Sequence, residues 1–203
     1  MTSWYERVVL PRLLNSEMGS KELESIRREV LAEASRITLE IGVGPGHNLP
    51  LYKKISKLYA LEPSKELIDL AKARAASLSF PVEFLNVGAE DIPLADRSID
   101  TVVSTWTLCS VTDPRRVLRE IARVLRKSGR FIFAEHGASP NSCIHTAQKA
   151  YTFVTKRFTG NCHYDRPIGK LIEGAGLHIQ KMERLPERFR PLIYNYQGIA
   201  IRA

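Results

Sequence analysis

The sequence predicts an α/β fold in which a mainly parallel sheet is covered by helices on both faces. Two observations carry this expectation. Short apolar runs and helical periodicities alternate along most of the chain, the pattern of repeated strand–helix–strand units. One such run, Thr38-Leu39-Glu40-Ile41, leads into Gly42-Val43-Gly44-Pro45-Gly46-His47-Asn48, with glycine at alternate positions. A buried strand that enters such a turn lets a ligand approach the main chain, because glycine has no Cβ and tolerates positive φ. In an open sheet of this kind the ligand lies at the carboxyl ends of the strands, near the point where strand order reverses.

The elements follow in order. Residues 1–35 read as two helices that form an N-terminal helical lid, and 36–203 as the α/β core of the same single domain. Trp4, Tyr5, Val8, Val9 and Leu13 give the first helix an apolar face; Leu23, Ile26, Val30 and Leu31 do so for the second. Gly19-Ser20 is the break between them, with Ser20 as an N-cap. Ile37–Val43, Lys57–Leu61, Val82–Val87 and a segment within Ser98–Ser104 read as strands one to four. Ser64 caps a helix that runs to about Ser77. Asp113-Pro114 is a strong helix start, an acidic N-cap followed by proline at the first helical position. Val117, Leu118, Ile121, Val124 and Leu125 form the buried stripe of that helix, which Ser128-Gly129 should end. Arg130–Glu135 is strand five, and Ile144–Arg157 a helix. Asp165 is expected to cap a further helix, and Leu177–Leu185 and Ile193–Ile201 to form a last strand pair.

Composition narrows the function classes. At 203 residues the chain can bury one sizeable core. No apolar run approaches the roughly 18 residues that a membrane span needs, and the N-terminus lacks a signal peptide's apolar block. Cys109, Cys143 and Cys162 are too few and too scattered in sequence for a disulfide framework or a Cys-x-x-Cys metal site, so no metal is expected and a reducing cytoplasm is the expected location. The formal charge of +8 permits anionic partners. The basic residues are spread out, however, and Arg115, Arg116, Arg119, Arg123, Arg126 and Lys127 read as a solvated helix face, so no nucleic-acid partner is expected. Arg7 and Arg12 flank the first apolar face, so residues 4–14 could alternatively make a peripheral contact with a lipid surface.

The glycine turn differs from a dinucleotide fingerprint, whose spacing is G-x-G-x-x-G. Here the glycines are at 42, 44 and 46, and Glu40 precedes them. A carboxylate at that place opposes a pyrophosphate and suits an ammonium group. S-adenosylmethionine carries an α-amino group and no phosphate, and so fits better. Strand two ends in Glu62, placed to accept from the ribose hydroxyls. No Gly-Lys-Ser/Thr phosphate loop follows the glycines.

These residues resemble a known family. Leu39–Gly46, Leu61-Glu62-Pro63-Ser64, Ala89-Glu90-Asp91-Ile92-Pro93-Leu94, Ser98–Val103 and Val117–Phe133 resemble the successive motifs of class I S-adenosylmethionine-dependent methyltransferases. Ser104–Val111, Ala134-Glu135-His136-Gly137, Gly160-Asn161-Cys162-His163 and Tyr194-x-Tyr196-x-Gly198 resemble a subgroup of it, the methyltransferase-like thiol methyltransferases and their small bacterial relatives. The resemblance implies a Rossmann-like seven-stranded sheet of order 3-2-1-4-5-7-6 with strand seven antiparallel. It implies a cofactor site made of Glu40, Gly42, Gly44, Gly46, Asn48, Glu62, Pro63, Ala89, Glu90, Thr105 and Leu108, with S-adenosylhomocysteine as product. Ala89 and Glu90 are only positional candidates for contact with the adenine, because Gly88 stands where many relatives have aspartate. The implied acceptor is a small, lipophilic molecule: a thiol first, then a phospholipid amine or a quinone-type ring carbon. Methyl transfer from a sulfonium needs alignment more than a base; His136, after strand five, is the candidate catalytic residue. A non-catalytic module that keeps the cofactor fold is the competing reading from another class.

Overall fold

The computed structural model describes residues 15, 16, 18–185 and 191–202. The expected first helix, including 4–14, lies outside the described residues. Ser20 caps α1 (Lys21–Leu31), its hydroxyl accepting from the Leu23 amide at 3.4 Å. Seven strands follow: β1 (Arg36–Ile41), β2 (Ile55–Leu61), β3 (Val82–Leu85), β4 (Ile99–Thr105), β5 (Leu125–His136), β6 (Leu177–Leu185) and β7 (Asn195–Arg202). Between them lie a 3₁₀ turn (Leu49–Leu51), α2 (Lys65–Ala75), α3 (Pro114–Val124), α4 (Ser142–Thr155) and α5 (Ile168–Glu173).

The strands form one sheet of order β3-β2-β1-β4-β5-β7-β6. β7 runs antiparallel to both neighbours, and the other described pairings are parallel. The order reverses between β1 and β4, so their carboxyl ends open a crevice. Alternation along the strands divides the core. Leu39, Ile41, Val102, Phe131 and Phe133 face α3 and α5, where Val117, Leu118, Ile121, Val124, Ile168 and Ile172 complete one layer. Ala60, Val103, Ile132 and Ala134 face the other way, onto Val30 and Leu31 of α1 and Ala71 of α2. Both faces are covered, as the near-continuous apolar strands require.

Several boundaries differ from the sequence expectation. α3 stops at Val124, before Ser128-Gly129. Leu125 is already extended and pairs with Ile99, and the ladder resumes only at Thr101 and Arg130. Burial of Leu125 in the core outweighs the helical preference of Arg126 and Lys127, and residues 126–129 become an irregularity within β5. β3 ends at Leu85, and β2 starts at Ile55. α4 begins at Ser142, because Asn141 Oδ1 accepts from the Cys143 and Ile144 amides. Asp165 does not cap α5: Pro167 occupies that place without a side-chain cap. Asp165 Oδ1 is instead buried without a hydrogen bond, 4.0 Å from His163 Nδ1.

Candidate active site

The carboxyl ends of β1, β2 and β4 open on a cavity of about 480 Å³. Three glycines with positive φ lead away from β1, and each is there for a different reason. A Cβ on Gly42 would lie 2.3 Å from Thr107 Oγ1, so this glycine admits the loop after β4. A Cβ on Gly46 would strike Leu49 and Ala71, so this one brings the turn against α2. Gly44 alone of the three has open space where a side chain would be, and there the main chain is bare toward the cavity.

Three buried carboxylates organise the walls. Glu40 accepts from Asn48 Nδ2 at 2.8 Å and from the Tyr52 hydroxyl at 2.9 Å. Burial dominates its ionisation and pushes its pKa up to about 7, against the pull of those two donors and of Arg27. Glu62, at the end of β2, accepts from the Gly44 amide at 3.1 Å and the Ser64 amide at 3.0 Å. Burial raises its pKa as well. Glu135, near the end of β5, accepts from the Ser104 hydroxyl at 2.5 Å and from the amides of Thr107, Leu108 and Cys109. It thereby fixes the loop after β4 from below.

Arg27 of α1 reaches across the crevice. Its guanidinium donates to the Met18 carbonyl at 2.7 Å and lies 5.0 Å from the centre of the Trp106 ring. Burial lowers its pKa to about 10, while the Glu40 charge works to raise it. Trp106 has φ 51°, held there by its amide on the Ala134 carbonyl and its indole N–H on Asn195 Oδ1 at 2.8 Å. Among the described residues, one buried side-chain oxygen of a cavity-lining residue has no hydrogen-bond partner: Asn48 Oδ1. Asn48 cannot turn away, because its amide nitrogen is committed to Glu40 and to Thr105 Oγ1 at 3.0 Å. An acceptor held in this way is suited to an incoming N–H group.

Comparison with known proteins adds to this geometry. Residues 39–133 match a family model described as a methyltransferase domain. The human thiol S-methyltransferase TMT1B is 34% identical over 198 residues, which cover 91% of this chain and 81% of that one. The chain belongs to the class I S-adenosylmethionine-dependent methyltransferases. A phosphatidylethanolamine N-methyltransferase from Cereibacter sphaeroides is 33% identical over 136 residues, 64% of this methyltransferase and 66% of the relative. Among solved structures, a geranyl diphosphate methyltransferase in complex with S-adenosylmethionine superposes with a TM-score of 0.70 at 15% identity. The match covers 99% of this chain and 92% of the other, and shows the shared fold.

Of the residues that the sequence assigns to the cofactor, Glu40, Gly42, Gly44, Asn48, Glu62, Pro63, Ala89, Glu90 and Thr105 line the cavity of this methyltransferase. Gly46 and Leu108 do not. Gly46 packs on α2, and the fully buried Leu108 side chain belongs to the core layer under α3. Glu90 also closes its own loop, with Oε1 accepting from the Thr112 amide at 3.1 Å. His136 is not among the lining residues either: its ring packs on Tyr164 at 4.8 Å, and its Nδ1 faces two thiols. The sequence reading did not foresee Arg27, Trp106 or Tyr52, nor the clamp formed by Glu135. Arg27 had one available signal, a charged residue one place from Ile26 on the apolar stripe of α1.

Proposed function

We propose that this methyltransferase transfers the methyl group of S-adenosylmethionine to a small lipophilic thiol. When bound, the cofactor supplies an electrophilic methyl group on a sulfonium sulfur and leaves as S-adenosylhomocysteine. The residues present suit it. Its amino-acid end carries an ammonium and a carboxylate, and the cavity is lined by Glu40, within electrostatic reach of the Arg27 guanidinium, and by Asn48. Each Glu62 oxygen is engaged by one amide and keeps a lone pair for a ribose hydroxyl. Gly44 gives the backbone approach.

The acceptor would enter from the other side, where Met18, Trp106, Val111, Thr159 and Gly160 form the wall. Phe153, Val154 and Phe158, all largely exposed, lie just before that lip in sequence, which favours an apolar acceptor. A thiol is already a few per cent thiolate at neutral pH, so orientation and exclusion of water can supply the rate without a base. The thiolate sulfur would form the new bond to the methyl carbon as the bond to the sulfonium sulfur breaks, with the thiol proton lost to solvent beforehand. The observation that carries this choice of acceptor is the 34% identity to a thiol S-methyltransferase over most of both chains.

Transfer from labelled cofactor to a panel of apolar thiols, phospholipid amines and phenols tests the reading. Methylated thiols should be the main product. Preferential methylation of an amine or a ring carbon would replace the acceptor class. Cofactor binding with no turnover on any of them would favour a non-catalytic module.

A further inference from the structure

The loop after β4, the end of β5 and the loop after α4 bring together three donors that are far apart in the chain. His136 Nδ1 lies 3.2 Å from Cys162 Sγ and 3.5 Å from Cys109 Sγ, and the two sulfurs are 3.4 Å apart. All three donor atoms lie within 4.8 Å of one another. The fold thus brings together cysteines that are scattered in the sequence. Cys109 and Cys162 are buried, and neither is in a disulfide.

We propose that Cys109, Cys162 and His136 form a binding site for one thiophilic cation, of which zinc(II) is the best geometric match. A tetrahedral zinc with bonds of about 2.3 Å to sulfur and about 2.0 Å to nitrogen spaces its ligands by about 3.8 Å between sulfurs and about 3.5 Å between sulfur and nitrogen. The sulfur–sulfur and Cys162–His136 edges are a few tenths of an ångström shorter, and the Cys109–His136 edge already matches. Small outward movements of three side chains would therefore admit the ion, with no change of backbone. Two thiols and an imidazole are the donors that soft and borderline ions prefer to magnesium or calcium. On binding, each thiol gives its proton to solvent, and two thiolates neutralise the divalent charge, so the filled site carries no net charge into the interior. The charged groups facing the sulfurs are Glu135 and Arg166, one of each sign. Tyr164, packed on the His136 ring and in reach of Cys162, closes one side.

The site's position gives it a consequence. Cys109 follows Trp106 and precedes Ser110, and Cys162 follows Thr159 and Gly160; these neighbours line the proposed acceptor side of the cavity. Two hydrogen bonds already tie the loops, from the His163 amide to the Cys109 carbonyl at 2.7 Å and from Asn161 Nδ2 to the Ser110 carbonyl at 2.9 Å. A bound ion would add a cross-link between the same loops and hold that wall in place.

The test uses the full chain, stripped with a chelator under a phosphine reductant and titrated with cobalt(II) and then zinc(II). We expect one equivalent of cobalt to give a thiolate charge-transfer band with tetrahedral visible bands, and zinc to abolish both. Cys109→Ser and Cys162→Ser should each weaken zinc binding by more than about a hundredfold, beyond the cost of losing an outer partner. His136→Gln should keep the thiolate band and shift the visible ones, and Cys143→Ser, at an exposed position, should change nothing. Cofactor binding by calorimetry verifies that each variant is folded. No stoichiometric band in the reduced chain, or a band that survives in both serine variants, would overturn the proposal. Neither readout depends on which acceptor is methylated.

Discussion

The two sides of the cavity are assembled by different means. At the side formed by β1 and β2 the partners are closer in the chain: Glu40 meets Asn48 and Tyr52, and Glu62 meets Ser64 and Gly44. At the opposite side they are distant: Trp106 is held by Asn195, Arg166 reaches the Leu108 and Val111 carbonyls, and Cys109 meets Cys162. The first side is thus built mostly by one strand–turn–helix unit and its neighbour, with Thr105 of β4 bonding Asn48. The second exists only after β5, α4 and β7 have docked. In such a design the wall built by Trp106, Cys109 and Cys162 can change its chemistry while the glycine turn stays as it is.

The largest expected effect breaks the second side. Glu135→Ala removes the acceptor of three backbone amides and one hydroxyl inside the protein. Each buried donor left unsatisfied costs about 1–3 kcal/mol, and the sum is not additive. A loss of about 3–5 kcal/mol in urea unfolding is expected, a large part of a typical domain's ~5–15 kcal/mol. Glu135→Gln keeps one acceptor oxygen and should lose less. A loss below about 1 kcal/mol for the alanine variant would mean that the loop after β4 does not depend on this carboxylate.

An intermediate effect belongs to the first side. Glu62→Ala also frees two amides, those of Gly44 and Ser64, but beside a cavity that water can enter. Stability should change little. Affinity for S-adenosylhomocysteine should fall roughly 10- to 100-fold by calorimetry, since hydrogen bonds to a charged group contribute about 1.5–3 kcal/mol. Unchanged affinity would remove Glu62 from the cofactor site and reverse the contrast with Glu135.

The same contrast explains what could be read in the sequence. Strand order, the caps at Ser20, Ser64 and Asp113, and many residues of the cavity lining were legible, because each rests on periodicity, capping chemistry or a contiguous motif. Gly46 packs on α2 and is not among the residues that line the cavity, a distinction that glycine spacing alone does not carry. Glu135 gave no signal, since its partners are amides of residues some 27 positions earlier. His136 looked like a base because it follows a strand at the ligand edge; that its nitrogen faces two thiols depends on the loop after α4, which no local pattern placed there. Asp165 failed as a cap because Pro167 starts the helix two residues later.

The smallest effect concerns pH and separates two carboxylates that burial treats alike. Glu40 has its pKa raised to about 7 by burial. A raised folded-state value means that the native chain keeps a proton which the unfolded chain releases above about 4.5. Its contribution therefore favours the folded state at low pH and is lost as pH climbs toward 7. Ligand binding runs the other way. An ammonium beside Glu40 favours the carboxylate, so binding S-adenosylhomocysteine below pH 7 should release a proton, and affinity should rise with pH by at most about tenfold per unit, then level off. Calorimetry in buffers of different ionisation enthalpy reads that proton directly. Glu40→Gln should abolish the release, and a slope that persists in this variant would assign it elsewhere. Glu135 is also buried and also raised, yet it is satisfied by four donors of the chain itself and does not line the cavity, so S-adenosylhomocysteine should not shift its proton.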